Sequence, residues 1–406
     1  MKVTSLYLCP WSLNDPLSQS QSLSYIRGLT AEGYNFALIT LETSRFLMPA
    51  EKIAETKRIL EREGIFWYPV FWKSGISVLN KLQSFFSVFY TGFKAYFKHR
   101  PKLIHSRSSL PLFLALALHK AGGSKFLYDA DSMLSEEYAD VKHLDRDGLG
   151  FKLMAWGESA ARRSADRVIV LTETLKNDLR EKYGVTKPID VIPCCVDTSK
   201  FKFSEKKRKS RRAELHLNDE LLFVYVGKQG TWYLVEEMID FFKTVLLKNS
   251  SAKMLIVTHE PPEGFKKILD EKNIEPESYF IKRADHSEVT EWLSASDVGL
   301  AFIKPVSSKR GTSPVKTSEY MASGLPIVSG ADIGDLDEII KENKVGVIVP
   351  RFNSECYNEA FEKAQSLLEE DNLRKHCGET AYKEFDLYNV GIEKYRRIYK
   401  NILSNS

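Results

Sequence analysis

Short apolar runs recur along the whole chain, and each leads into a longer amphipathic stretch. "VTSLYL" precedes a helix-like segment from about Ser18 to Glu32, then come "NFALITL" and "AEKIAETKRILEREG". "KLIHS", "KFLYDA" and "DRVIVLT" follow at similar intervals. A second series begins at "LLFVYVGKQG" and runs through "AKMLIVTHE", "SYFIKR", "DVGLAFI", "LPIVSG" and "VGVIVP". Alternation of this kind predicts α/β structure, with parallel sheets covered by helices on both faces. Two series predict two doubly wound, Rossmann-like domains, and ligands of such sheets sit at the carboxyl ends of the strands.

Size agrees with two domains, since 406 residues are too many for one ordinary core. Between the series, Lys202 to Arg212 hold seven basic residues in a polar stretch. A boundary is therefore expected near residue 198, with domains at 1–198 and 199–386 and a helical tail at 387–406. Apolar content of 43%, charged content of 28% and a formal charge of +4 fit a soluble globular protein and do not by themselves argue for nucleic acid. The five cysteines show no metal-ligand spacing, so no metal site is expected and a reduced cytosolic setting is. "MKVTSLYLCPWS" is strand-like, unlike a signal peptide. No stretch reaches the roughly 18 apolar residues of a membrane span.

The chemistry concentrates in "GTSPVKTSEYMASGLPIVSG", Gly311 to Gly330. Ser313 is read as a helix N-cap with Pro314 at the first helical position, and Gly324 as the stop. The amides of Val315 and Lys316 would then form an anion site at a strand's carboxyl end. Glu319, one turn on, can accept hydrogen bonds from a vicinal diol. Phosphate at the helix start and a diol one turn along describe a nucleotide's diphosphate and ribose. A capped helix with a solvated glutamate is the alternative from this stretch alone. "VYVGKQGTWY" adds a glycine turn in which Gly227 lets backbone approach a ligand and Lys228 reaches an anion. It is neither a full GxGxxG nor a Walker sequence.

In this order, "VIPCCVDTSKF", "YVGK", "ASDVGLAF", "SPVKTSEYMASGLPIVSG" and "VGVIVP" resemble the family-four glycosyltransferases of the GT-B fold, most clearly from about Asp166 to Pro350. The resemblance implies two Rossmann-like domains facing across a cleft, with the tail helix crossing back to the first. It implies that Glu319 holds the ribose, that Lys228 and the Val315 and Lys316 amides hold the diphosphate, and that backbone from Ile281 to Arg283 reads the base. The Lys316 side chain either adds to the anion site or lies on the surface. Gly311 stands where the first glutamate of the family's Glu-x7-Glu motif would meet the donor sugar, which leaves that sugar open.

In the first domain, "KLIHSRSS" brings His105 and Arg107 to a strand end. The family's sugar-contacting histidine would fall near position 107, and His105 is either the contact instead or a satisfied strand-end histidine. Arg107 suits a diphosphate or an acidic acceptor. "YDADSMLSEEYAD" offers Asp131 as the first choice for orienting or deprotonating an acceptor hydroxyl, against a solvated acidic loop. The loop "CPWSLNDPLSQSQS" lacks the family's paired glycines, though Ser18 to Gln21 can offer hydroxyls and amides. "SFFSVFYTGFKAYFKHRPK" is aromatic on one side and basic toward its end, and reads either as a core-packed helix or as one lying on an anionic membrane.

The expectation is a glycosyltransferase without a bound cofactor. It would move a sugar from a UDP- or GDP-sugar co-substrate to a saccharide or lipid-linked hydroxyl acceptor with retention, in surface polysaccharide, lipopolysaccharide or glycolipid synthesis. It would be cytoplasmic, with peripheral contact at the inner membrane face. A nucleotide-sugar epimerase on the same fold, or a nucleic-acid or scaffold protein using residues 202–212, is the alternative. A phosphorylase would need a pyridoxal-bearing lysine, which no sequence context marks.

Overall fold

A computed structural model describes residues 2–72 and 78–404. The strand-like runs fold into two parallel sheets. The first holds β1 (Ser5–Cys9), β2 (Phe36–Glu42), β3 (Ile65–Phe71), β4 (Leu103–Arg107), β5 (Lys125–Ala130), β6 (Arg167–Val170) and β7 (Ile189–Val191) in the order 3-2-1-4-5-6-7. The second holds β8 (Leu222–Val226), β9 (Lys253–Val257), β10 (Tyr279–Lys282), β11 (Val298–Ala301), β12 (Ile327–Gly330) and β13 (Gly346–Val349) in the order 10-9-8-11-12-13. Strand order reverses between β1 and β4 in one sheet and between β8 and β11 in the other. These are the points where a doubly wound sheet opens a crevice at its carboxyl edge.

The chain separates into two compact units, one of Met1–Pro193 with Val390–Ser406, the other of Cys194–Asn389. Each has its own apolar core, with helices over both faces of its sheet. Residues 390–406 belong to the first unit because the helix Glu393–Ser404 buries Tyr395, Ile398, Tyr399 and Ile402 there. Just before it, Ile392 packs so closely on Gly28 that a Cβ at position 28 would lie 2.1 Å from its Cδ1.

The basic run becomes the helix Glu205–Glu214, capped by Ser204, and much of its charge turns inward. Arg208 and Arg212 pair with Asp297 at 2.8 and 3.4 Å, and Arg211 with Glu291 at 2.7 Å. Arg212 also donates to the Asn218 and Glu220 carbonyls. These three arginines fasten the helix to the segment before β11, while Lys202, Lys206 and Lys209 stay exposed.

The helix Val78–His99 resolves its two readings by face. Val88, Ala95 and Tyr96 enter the first core, whereas Phe86, Tyr90 and Phe97 are exposed. Among the described residues no helix is long and apolar enough to cross a membrane.

Candidate functional site

In the second unit, β8 and β11 pair only through Phe223–Val298 and Val224–Gly299, then part. Tyr320 holds them apart. Its hydroxyl accepts the Val226 amide at 2.9 Å, and its ring lies where any side chain at 299 would go, 2.4 Å from a Cβ placed there. Gly299 is therefore part of the reason this edge opens. At the opening β8 runs into Gly227 (φ 152°) and the exposed Lys228, whose carbonyl accepts the Tyr225 hydroxyl at 2.8 Å. The next amide, that of Gln229, is held by Glu260 at 2.7 Å.

Two aromatic residues follow, each covered by a lysine from beyond β11. The Lys309 ammonium lies 3.8 Å from the Trp232 ring centroid, and the Lys316 ammonium 3.2 Å from that of Tyr233. The backbone there is tied as well, since Lys304 donates to the Trp232 carbonyl and Leu234 to that of Phe302. Lys316 crosses directly over Gly227, its Nζ 2.4 Å from where a Cβ would be. That resolves the alternatives for its side chain: it folds into the crevice and is not a surface lysine. Burial pushes its pKa down to about 7, against the pull of Glu319 and with the repulsion of Lys228.

The helix that carries Lys316 is Val315–Ala322, ended by Gly324 with φ 78°. Its amides at Val315 and Lys316 precede any helical carbonyl that could bind them. Glu319 is buried one turn on, at 6% exposure. The cap differs from the expected one. Pro314, extended at ψ 119°, is the N-cap in place of Ser313. The Ser313 hydroxyl is drawn away to accept the Cys194 amide at 3.1 Å, while Ser318 donates to the Cys194 carbonyl. Ser313 thus ties the Cys194 segment to the helix start. Arg283 is exposed just past β10, the edge strand of this sheet.

In the first unit, β1, β4 and β5 bring a polar cluster together. The Asp129 carboxylate accepts Arg107 Nη1 at 2.7 Å and the Tyr395 hydroxyl at 2.5 Å, with His105 Nε2 at 3.5 Å. His105 Nδ1 meets the Tyr399 hydroxyl at 2.8 Å, and its ring lies 4.4 Å from that of Tyr7. At 1% exposure His105 is sealed beneath these tyrosines, and burial holds its pKa below the ordinary value. Through Nδ1 it is tied to the tail helix, while its Nε2 has no hydrogen-bond partner among the described residues. Arg107 is buried too, its guanidinium 5.7 Å from the Trp11 ring, and Asp129 raises its pKa despite the cost of burial. Burial alone would raise the Asp129 carboxyl, but Arg107 and its other partners bring it below the usual range.

Asp131 differs from Asp129 by two residues and by environment. Its Oδ1 has no hydrogen-bond partner and no water access, and burial raises its pKa to about 7 against the opposing pull of Arg107. Elsewhere in the cluster, Ser108 takes a left-handed conformation, φ 62°, directly after β4. In the helical turns Pro16–Ser18 and Gln19–Leu23, which stand where a loop was expected after β1, Ser18 and Ser22 turn onto the Cys9 sulfur, each 3.6 Å away, so those hydroxyls face the core.

Sequence reasoning missed Trp232, Tyr233 and Lys309, and read Tyr395 and Tyr399 only as apolar-face residues of the tail. For the tyrosines of the tail a signal existed, since positions 395 and 399 are one helical turn apart on its apolar face. For the lysine–aromatic stacks there was none: Lys316 and Tyr233 meet only through the fold.

A family model described as Glycosyltransferase Family 4 matches residues 21–200, and one described as Glycosyl transferases group 1 matches residues 206–384. Among solved structures, sucrose-phosphate synthase from Thermosynechococcus elongatus is 17% identical with a TM-score of 0.77, over 99% of this chain and 100% of its own. A glycosyltransferase from Rickettsia africae is 16% identical with a TM-score of 0.69, over 100% of both chains. Anabaena Alr3699/HepE, solved in complex with UDP-glucose, is 14% identical with a TM-score of 0.70, over 99% of this chain and 100% of its own. These likenesses establish the GT-B fold. No protein of curated function matches the sequence.

Proposed function

With a family 4 domain followed by a group 1 domain, the chain is a GT-B glycosyltransferase enzyme, and we propose that it moves a sugar from a nucleoside-diphosphate donor to a hydroxyl acceptor with retention. The observation that carries this reading is the β8–β11 crevice. There the Lys316 ammonium crosses over Gly227, the exposed Lys228 follows in the same turn, and the helix Val315–Ala322 carries Glu319 one turn past its start. Cations and amides fixed in a partly buried site stabilise the charge that grows on a departing diphosphate. Glu319 takes the ribose hydroxyls, and the loop from Gly227 lets backbone reach the phosphates. Arg283 and the end of β10 take the base. Binding of UDP-glucose by the Anabaena relative supports a nucleotide-sugar donor.

On the first unit, Asp131 is the acceptor-side carboxylate. Its raised pKa suits a group that takes the acceptor hydroxyl's proton near neutral pH. The sugar–phosphate bond breaks, the sugar–acceptor bond forms, and the diphosphate leaves with the electron pair. Arg107 acts by fixing Asp129 and the field around Asp131, and His105 acts through the tail helix. Surface polysaccharide or glycolipid synthesis at the cytoplasmic membrane face is the pathway this reading favours.

Calorimetric titration of the purified protein with UDP and GDP tests the donor site. Binding of one of them, abolished by Glu319→Ala with K316M, is expected; no binding of either sinks the reading. Turnover of a panel of nucleotide sugars, with and without saccharide acceptors, then separates transfer from epimerisation.

A further inference from the structure

The stretch from Gly64 to Tyr128 contains no aspartate or glutamate, although the chain holds 54 of them, and it carries nine lysines and arginines. The helix Val78–His99 lies within it. Phe86 and Tyr90, at 68% and 69% exposed, stand one turn apart on its outer face, flanked by the exposed Leu82 and Phe97. Lys94 continues that row, its ammonium 6.0 Å from the Tyr90 ring, and Lys98 lies a further turn on. Arg100 and Lys102, both exposed, extend the cationic end, and no carboxylate on this stretch offsets them. The opposite face is already spent on the core through Val88, Ala95 and Tyr96.

Large aromatic side chains held in water cost free energy and mark an interaction surface when they lie together. A hydrocarbon-seeking row with ammonium groups along its margin is complementary to one kind of surface, an apolar layer under negative headgroups. A nucleic acid would match the cations and leave the phenylalanines in water. A second copy of this chain would set Lys94 and Lys98 against their own equivalents.

We propose that the outer face of the helix Val78–His99 docks on an anionic lipid bilayer, with Phe86, Tyr90 and Phe97 entering the headgroup boundary and Lys94, Lys98 and Arg100 meeting lipid phosphates. The surface is distinct from the β8–β11 crevice, so it stands or falls separately from the donor chemistry.

The test is co-sedimentation of the full chain with phosphatidylcholine vesicles, with and without phosphatidylglycerol. Binding to the anionic vesicles only, weakened by salt, is expected. Lys94→Glu with K98E should weaken it by about tenfold or more, since each cation near such a surface contributes about 1 kcal/mol. Phe86→Ser with Y90S should abolish it while leaving UDP or GDP affinity and the thermal midpoint unchanged. The proposal is overturned by a wild type that stays in the supernatant or by variants that still sediment. It is equally overturned if F86S with Y90S converts a dimer to a monomer in sedimentation velocity without changing vesicle binding, or if RNA binds this face more tightly than the vesicles do.

Discussion

At neutral pH the Lys316 ammonium is close to losing its proton, and an arriving diphosphate would hold that proton in place. Nucleotide binding should therefore take up protons and weaken as pH rises through about 7, the value to which burial depresses this lysine. Lys316→Met should lower diphosphate affinity about ten- to hundredfold, the scale of one charge-assisted contact, and remove that pH dependence in calorimetry. Asp131 has the opposite sign. Its folded pKa is raised to about 7, so stability from this carboxyl is complete below the unfolded value and is lost as pH rises to about 7. Asp131→Asn should thus raise Tm above pH 7 while cutting turnover by about 10²- to 10⁴-fold and erasing the ascending limb of the kcat/KM profile. A descending limb that survives in D131N but vanishes in K316M would assign the two limbs. The reading of Asp131 fails if D131N keeps full turnover.

Elements set these residues by a few close approaches, and substitution can address those approaches. Gly299→Ala would press a methyl into the Tyr320 ring and shift the helix that carries Lys316 and Glu319. Destabilisation of about 1–3 kcal/mol, measured in urea, is expected together with weaker nucleotide binding. Tyr395→Phe removes a hydroxyl that bonds the buried Asp129 carboxylate, at a cost of about 1.5–3 kcal/mol. Local pattern made much of this scale readable. The Gly227 turn, the Gly324 stop and the tail's apolar spacing all follow from nearby residues. The Ser313 cap did not, because its hydroxyl was claimed by Cys194, 119 residues away. The helix Val78–His99 was ambiguous in sequence because it has two apolar faces, and only packing tells which one the core takes.

For the whole molecule, strand alternation was enough to predict two doubly wound sheets, since each short apolar run had no other way to bury both faces. What alternation does not encode is which distant segments meet, and so the Asp129–Tyr395 and Lys316–Tyr233 contacts were invisible. The groups proposed to hold the donor all belong to the second unit. Saturation with UDP or GDP should accordingly slow amide hydrogen exchange around residues 226–234 and 313–320, by about 2.7 kcal/mol at a hundredfold excess over Kd. Exchange in β2 and β3 should not change. The tail adds a consequence in time. The first unit is closed by Tyr395 and Tyr399, which leave the ribosome after the entire second unit has been made. Until then Arg107, Asp129 and His105 lack their cover, and the nascent amino-terminal half must wait, incompletely sealed, for its own last helix.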